Sequence, residues 1–139
     1  MFKWFIVKIT SLSLFETMNV AIVGGRDFDD YEQFKSCIDG EKIKFKCIIS
    51  GGARGVDTMA ERYAKEIGVP VTIYWPDWTK HGKAAGPIRN RQIIETADCV
   101  IAFWDEKSPG TRSSIKIAEE LKKPVTIFVY REVIKSAIL

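Results

Sequence analysis

The stretch "IISGGARGVDTMAERYA", Ile48 to Ala64, decides the fold. An apolar run passes through Gly51, Gly52 and Gly55, with Arg54 and Asp57 among them, into a helical pattern. In that pattern Val56, Met59, Ala60, Tyr63, Ala64 and, just beyond, Ile67 share one face, the spacing of a helix laid on a sheet. Gly68 ends the helix and Pro70 prevents its resumption. A strand, a glycine-rich turn and a helix open a βα unit. A plain turn has no need of so many glycines together with an arginine and an aspartate.

Working outward, short β-rich runs alternate with helical patterns. The strands are Val20–Val23, Cys47–Ser50, Val71–Trp75, Cys99–Trp104 and Val125–Tyr130. They are continuously apolar rather than alternating, as parallel strands buried on both faces are. Asp29 or Asp30 caps a helix over Tyr31–Ile38, with Glu32 or Gln33 completing the cap and Tyr31, Phe34 and Ile38 on one face. Pro87 suits a first helical turn, followed by a buried stripe of Ile93, Ile94 and Ala97. A last helix from about Thr111 to Lys122 uses Ile117, Ala118 and Leu121, and Pro124 closes it. The βαβαβαβαβ order predicts an α/β, Rossmann-like, doubly wound parallel sheet of five core strands, in the order 3-2-1-4-5.

The chain has 139 residues, enough for one domain and its core. Its apolar fraction of 46% and charged fraction of 28% are those of an ordinary globular protein. A net charge of +3 is too small to argue by itself for a nucleic-acid or membrane surface. Cys37, Cys47 and Cys99 are far apart and form no CxxC pair, which predicts free thiols, no disulfide framework, no metal site and a reducing cytoplasm. Residues 1–18 read as a peripheral extension, either an extra edge strand or an over-called start with Met18 as the second candidate. Residues 19–139 read as a single domain. The apolar run at the start is broken by Lys3 and Lys8 and is shorter than the roughly 20 residues a membrane span needs, so no membrane partner is expected.

In doubly wound sheets, ligands bind beyond the carboxyl ends of the strands near the switch in strand order. The informative residues here follow strands. After the first come Gly24, Gly25, Arg26 and Asp27: either a close approach for a ligand with Arg26 on a phosphate or carboxylate, or a tight turn with a solvated arginine. After the second come Ser50, Gly51, Gly52, Arg54, Gly55 and Asp57. The helix start there offers free N–H groups and a positive dipole end to an anion. Asp57 either caps that helix or meets a ribose hydroxyl or a water. The pattern is neither GxGxxG nor a Walker loop. After the third strand, Trp75 and Trp78 either stack on a base or cover the sheet edge. Arg89 follows, and Asn90 either faces the crevice or tethers a loop. After the fourth, Gly110 and Thr111 form a second phosphate cradle, a role compatible with Thr111 as a simple N-cap.

Together "GGRDF", "SGGARGVDTMAERYA", the Pro76–Ile93 segment "PDW…HGKAAGPIRNRQI" and "SPGTRSSIKIA" resemble the YspA/YpsA-related branch of the SLOG superfamily, over about Asn19 to Tyr130. That superfamily groups Rossmann-like domains related to Smf/DprA DNA-processing proteins and to LOG, the cytokinin-activating phosphoribohydrolase. Members of the branch occur in bacteria and their phages. The resemblance implies a nucleotide or nucleotide-derived ligand, related to NAD or ADP-ribose among the candidates. It maps the branch's motifs onto Gly24–Asp27, Ser50–Asp57, Gly86–Asn90 and Gly110–Thr111. LOG enzymes carry a glutamate in PGGxGTxxE where this chain has Ser114. A hydroxyl cannot replace a carboxylate that stabilises an oxocarbenium-like centre, so the departure counts against that chemistry.

Three functions follow as expectations. The first is a sensor or sequestering module for a nucleotide-type small molecule, with Gly51, Gly52, Gly110 and Thr111 on phosphate and Arg26, Arg54 and Arg89 adding charge. Asp57 and Asn90 would then hold ribose, and Trp78 the base. The second is hydrolysis of an N-glycosidic or phosphoester bond by one of Asp27, Asp57, Asp77 or Asp105. The third, less favoured, is single-stranded DNA binding by a basic, aromatic-lined groove. No cofactor is specified, and self-association into a homo-oligomer is left open.

Overall fold

The computed structural model of the chain describes residues 2–8, by their backbone, and residues 17–132. Strands β1 (Phe2–Lys8), β2 (Thr17–Gly24), β3 (Lys44–Ser50), β4 (Val71–Ile73), β5 (Cys99–Trp104) and β6 (Val125–Glu132) form one sheet in the order β1-β6-β5-β2-β3-β4. Helices α1 (Tyr31–Gly40), α2 (Val56–Ile67), α3 (Trp78–His81), α4 (Ala85–Thr96) and α5 (Pro109–Glu120), with a 3-10 turn at Gly82–Ala84, connect them.

The continuously apolar strands reflect burial on both sides. Val20 and Ile22 of β2 join a core with Phe28, Phe34, Val56, Ala60, Tyr63 and Phe103 beneath α1 and α2. Their neighbours Ala21 and Val23 join a second core with Ile93, Ile94, Ala102, Ile115 and Ala118 beneath α4 and α5. Stacked rings reinforce the first core: Phe103 lies 5.0 Å from Phe34 and 5.2 Å from Phe128, centroid to centroid. β2 pairs in parallel with β3 on one side and β5 on the other, β3 with β4, and β5 with β6. Counted from β2, this is the expected five-stranded parallel order. The chain leaves β2 toward α1 and β3 and returns through α4 to β5, so the switch in strand order falls between the carboxyl ends of β2 and β5.

Some elements bear out one of the alternatives in the sequence reading, and others differ from it. Residues 2–8 form an extra edge strand, antiparallel to β6 with Phe5 opposite Val129. The remainder of the expected extension, residues 1 and 9–16, and the end of the expected domain, residues 133–139, lie outside the described residues. β4 stops at Ile73, so Trp75 is not a strand residue. Asp30 is the α1 cap, accepting from the Gln33 N–H at 3.1 Å. Ile67, in the last turn of α2, is exposed, while Gly68 ends that helix in the left-handed region as expected. α5 begins at Pro109; Ala118 is buried as expected and Ile117 and Leu121 pack half-buried against the same core, while Thr111, Ser114 and Ile115 are buried in addition. The three cysteines are free thiols, of which only Cys99 is fully buried.

Candidate functional site

At the switch point the ends of β2, β3 and β5 and the starts of α4 and α5 enclose a hollow of ≈ 580 Å³. Of the residues singled out from sequence, it is lined by Gly24, Gly25, Arg26, Asp27, Gly51, Arg54, Asp57, Trp78, Arg89, Asn90, Gly110 and Thr111. Ser50, Gly52 and Gly55 stand outside it. Ser50 is wholly buried beneath the turn. Gly52 lines an adjoining compartment. Gly55 is consumed by packing, as follows.

The glycines divide by what they admit. A Cβ at Gly24 would stand 2.6 Å from the Phe103 carbonyl oxygen and 2.7 Å from Val56 Cγ2, so β2 can end against α2 only with glycine there. At Gly25 a Cβ would strike the Tyr130 hydroxyl. The Gly25 N–H donates to the Phe103 carbonyl at 3.2 Å, and its carbonyl accepts from the Val56 N–H at 3.2 Å. Gly55, at φ +74°, lies against the Gly25 and Arg26 carbonyls. These three therefore seat one backbone on another. One of the α2 N–H groups expected to be free for an anion is already taken by Gly25.

Gly51 behaves differently. Its carbonyl accepts from Arg89 Nη1 at 2.6 Å, and the space a side chain would occupy lies between Arg89 and the Asp57 carboxyl. Arg89 Nε also donates to Asn90 Oδ1 at 3.0 Å, so the α4 pair is locked to itself and to the β3 turn. Asp57 Oδ2 accepts from the Ala53 N–H at 3.1 Å, closing that turn. Burial pushes the Asp57 carboxyl up to about 6, against the opposing pull of that hydrogen bond and of Arg89. Burial also draws the Arg89 guanidinium below its ordinary range, and Asp57 counters this. At the rim Arg54 and Asp27 approach to 3.8 Å, but both are exposed and the pair contributes little.

The start of α5 also opens on the hollow. Ser108 occupies its N-cap but provides no side-chain cap. Its hydroxyl donates instead to Asp105 Oδ2 at 3.0 Å, while Asp105 Oδ1 accepts from the Lys107 and Ser108 N–H groups at 2.9 and 2.7 Å. Burial alone would raise the Asp105 carboxyl; these hydrogen bonds outweigh it and hold the carboxyl below its usual range. Pro109 has no N–H, and no side chain caps Gly110 or Thr111. Thr111 is therefore the third helical residue rather than a cap. Thr111 and Ser114, only 5% and 3% exposed, line the hollow without a hydrogen-bond partner among the described residues. Ser114 was noted in the sequence only for the glutamate it replaces. Its spacing of three from Thr111 on a helix is the signal that sets it on the same face.

Lys80, His81 and Lys83 do not line the hollow. Among the described residues no group of His, Cys, Asp and Glu is arranged to hold a metal, and no helix is long and apolar enough to cross a membrane.

A doubly wound parallel sheet with a hollow at its switch point defines a Rossmann-like α/β protein. Residues 18–81 match the family described as YspA, cpYpsA-related SLOG family, and the chain belongs to it. The Gene 61 protein of Mycobacterium phage D29 is 38% identical over 87 residues, spanning 58% of this chain and 70% of its own. Among solved structures, DNA processing protein A from Helicobacter pylori, studied for its single-stranded DNA binding mode, is similar at a TM-score of 0.59 and 25% identity. That match covers 88% of this chain and 69% of the other.

Proposed function

We propose that the chain binds a nucleotide or nucleotide-derived ligand in the switch-point hollow, as a sensor or sequestering module. The observation that carries this reading is the uncapped start of α5, where Thr111 and Ser114 line one hollow with Arg26 and Arg89 and their hydroxyls make no hydrogen bond to the described residues. A phosphate there would receive the Gly110 and Thr111 N–H groups, both hydroxyls and the field of the helix. Asp57 of α2 and Asn90 of α4, which line the same hollow, suit ribose hydroxyls. Trp78, at the mouth, offers a face to a base.

Calorimetric titration with AMP, ADP-ribose and NAD, with adenosine as the phosphate-free control, tests the reading. Saturable binding of a phosphorylated ligand, with adenosine much weaker, is expected. No heat with any of them would overturn it.

A second reading, single-stranded DNA, draws on the similarity to DNA processing protein A and on Trp75 and Trp78, exposed beside Arg26 and Arg54. Retention of a labelled oligonucleotide that weakens with salt would favour it. Hydrolysis of a glycosidic bond is disfavoured because Ser114 faces the hollow where LOG enzymes place a carboxylate.

A further inference from the structure

The hollow opens sideways. Past Arg26, Gly51, Ala53, Arg54, Trp78 and Arg89, which wall both spaces, lies a compartment of ≈ 440 Å³ that adds Gly52, Trp75 and Pro76. Its described walls carry three arginines and no acid; Asp27 and Asp57 line only the main hollow. Trp75 is 66% exposed and Trp78 is 56% exposed. Neither ring stacks on another aromatic or a cation among the described residues.

Covering the sheet edge does not account for Trp75. β4 has ended two residues earlier, and the indole stands largely in water. Its six-membered ring rests on the Gly52 backbone, held at φ +70°, where a Cβ would come within 2.5 Å of Cζ3. The turn is thus shaped to seat an indole that buries little of itself in the protein. A rigid aromatic face beside three cations suits a planar base attached to phosphate.

Resting on the nucleotide reading above, we infer that this side compartment is a second base subsite, so that the ligand is a dinucleotide: two bases joined through phosphate. One nucleotide occupies the main hollow with its phosphate at α5. The linking phosphate passes Arg54 and Arg89, and the second base lies on Trp75.

The test compares AMP, the linear 5′-phosphorylated diadenylate and a hexadeoxyadenylate on the full chain and on its Trp75→Ala and Trp75→Phe variants, by calorimetry. The diadenylate is expected to bind at least about tenfold tighter than AMP, the order of one stacked base. Trp75→Ala should abolish that gain and leave AMP within about twofold. Trp75→Phe should keep most of it, which separates stacking from a folding defect. Equal affinity for AMP and diadenylate, or equal loss of both in Trp75→Ala, overturns the second subsite while leaving the nucleotide reading intact. If AMP, ADP-ribose and NAD all fail to bind, the underlying reading falls and the subsite with it. A hexamer no tighter than the diadenylate supports a free dinucleotide; affinity that keeps rising with length replaces it with a nucleic-acid strand.

Discussion

Asp57 and Arg89 stand on either side of Gly51: a methyl group there would lie 3.0 Å from Asp57 Oδ2 and 2.8 Å from Arg89 Nη1. The two charges belong to α2 and α4, on opposite faces of the sheet, and feel each other across a β3 turn that carries no side chain between them. Gly51 thus sets the geometry of the hollow without donating anything to a ligand.

Gly51→Ala should therefore damage binding more than folding. The nearest obstacles are the ends of side chains, and Arg89 can swing aside at the cost of its 2.6 Å hydrogen bond to the Gly51 carbonyl. Displacing that guanidinium from the hollow should weaken AMP about tenfold or more, the scale of one charge-assisted hydrogen bond. Titration of the variant, with urea unfolding alongside, separates the two effects. Unchanged affinity would show that Arg89 plays no part in holding the ligand.

Gly55→Ala should do the reverse. Its φ of +74° disfavours any side chain, and the obstacles are the Gly25 and Arg26 carbonyls, which cannot move without shifting the β2–α1 loop. Strain and overpacking together should cost about 3 kcal/mol or more, measured as a lowered urea midpoint. A loss below about 1 kcal/mol would mean that the loop has slack.

These two glycines show where sequence reading stops. Both belong to one motif, and both suggest close approach. Only the folded chain tells that Gly51 lets side chains converge on a hollow while Gly55 lets one backbone press on another. The fold was more legible, because both-face burial leaves continuous apolar runs and Gly68 and Pro124 mark helix ends plainly. α3 is not legible in the sequence, since four residues show no period, and Asp77, a candidate carboxylate for hydrolysis by sequence, is instead its cap, accepting from the Lys80 N–H at 3.0 Å. The start of α5 was set two residues late: Thr111 looks like a cap in sequence, whereas Ser108 takes the position and turns its hydroxyl to Asp105. In the same helix the buried face carries the polar Thr111 and Ser114, because that face meets the hollow as well as the core.

Asp57→Asn should stabilise the protein near neutrality while impairing its binding. The folded carboxyl titrates at about 6 against an ordinary 3.8, so the folded state holds a proton that the unfolded state has released. Stability is therefore lost as pH rises from about 4 through about 6, and the penalty persists above. Removing it is worth at most on the order of 3 kcal/mol at pH 7 and little at pH 4, where the unfolded-state carboxyl is only partly ionised. Asparagine still accepts the Ala53 N–H. Urea unfolding at pH 4 and 7 should thus show a gain confined to the higher pH, with weaker AMP binding at pH 7. A variant less stable than the parent at pH 7 would contradict the buried, proton-holding carboxyl.

Thr111→Val and Ser114→Ala test the anion site from the opposite direction to a folding defect. Each removes a hydroxyl that lines the hollow and has no partner among the described residues, so neither should destabilise the empty protein by more than about 0.5–1 kcal/mol. Valine is β-branched like threonine, and α5 retains its backbone N–H groups. If phosphate seats at this helix start, each change should weaken AMP by about threefold to tenfold, and the double change should weaken it further than either alone, though not as a simple product because the two share one ligand. Adenosine, lacking phosphate, should be indifferent to both. Full AMP affinity in the double variant would place the phosphate elsewhere in the hollow, and a parallel loss for adenosine would mean that the hydroxyls touch the nucleoside instead.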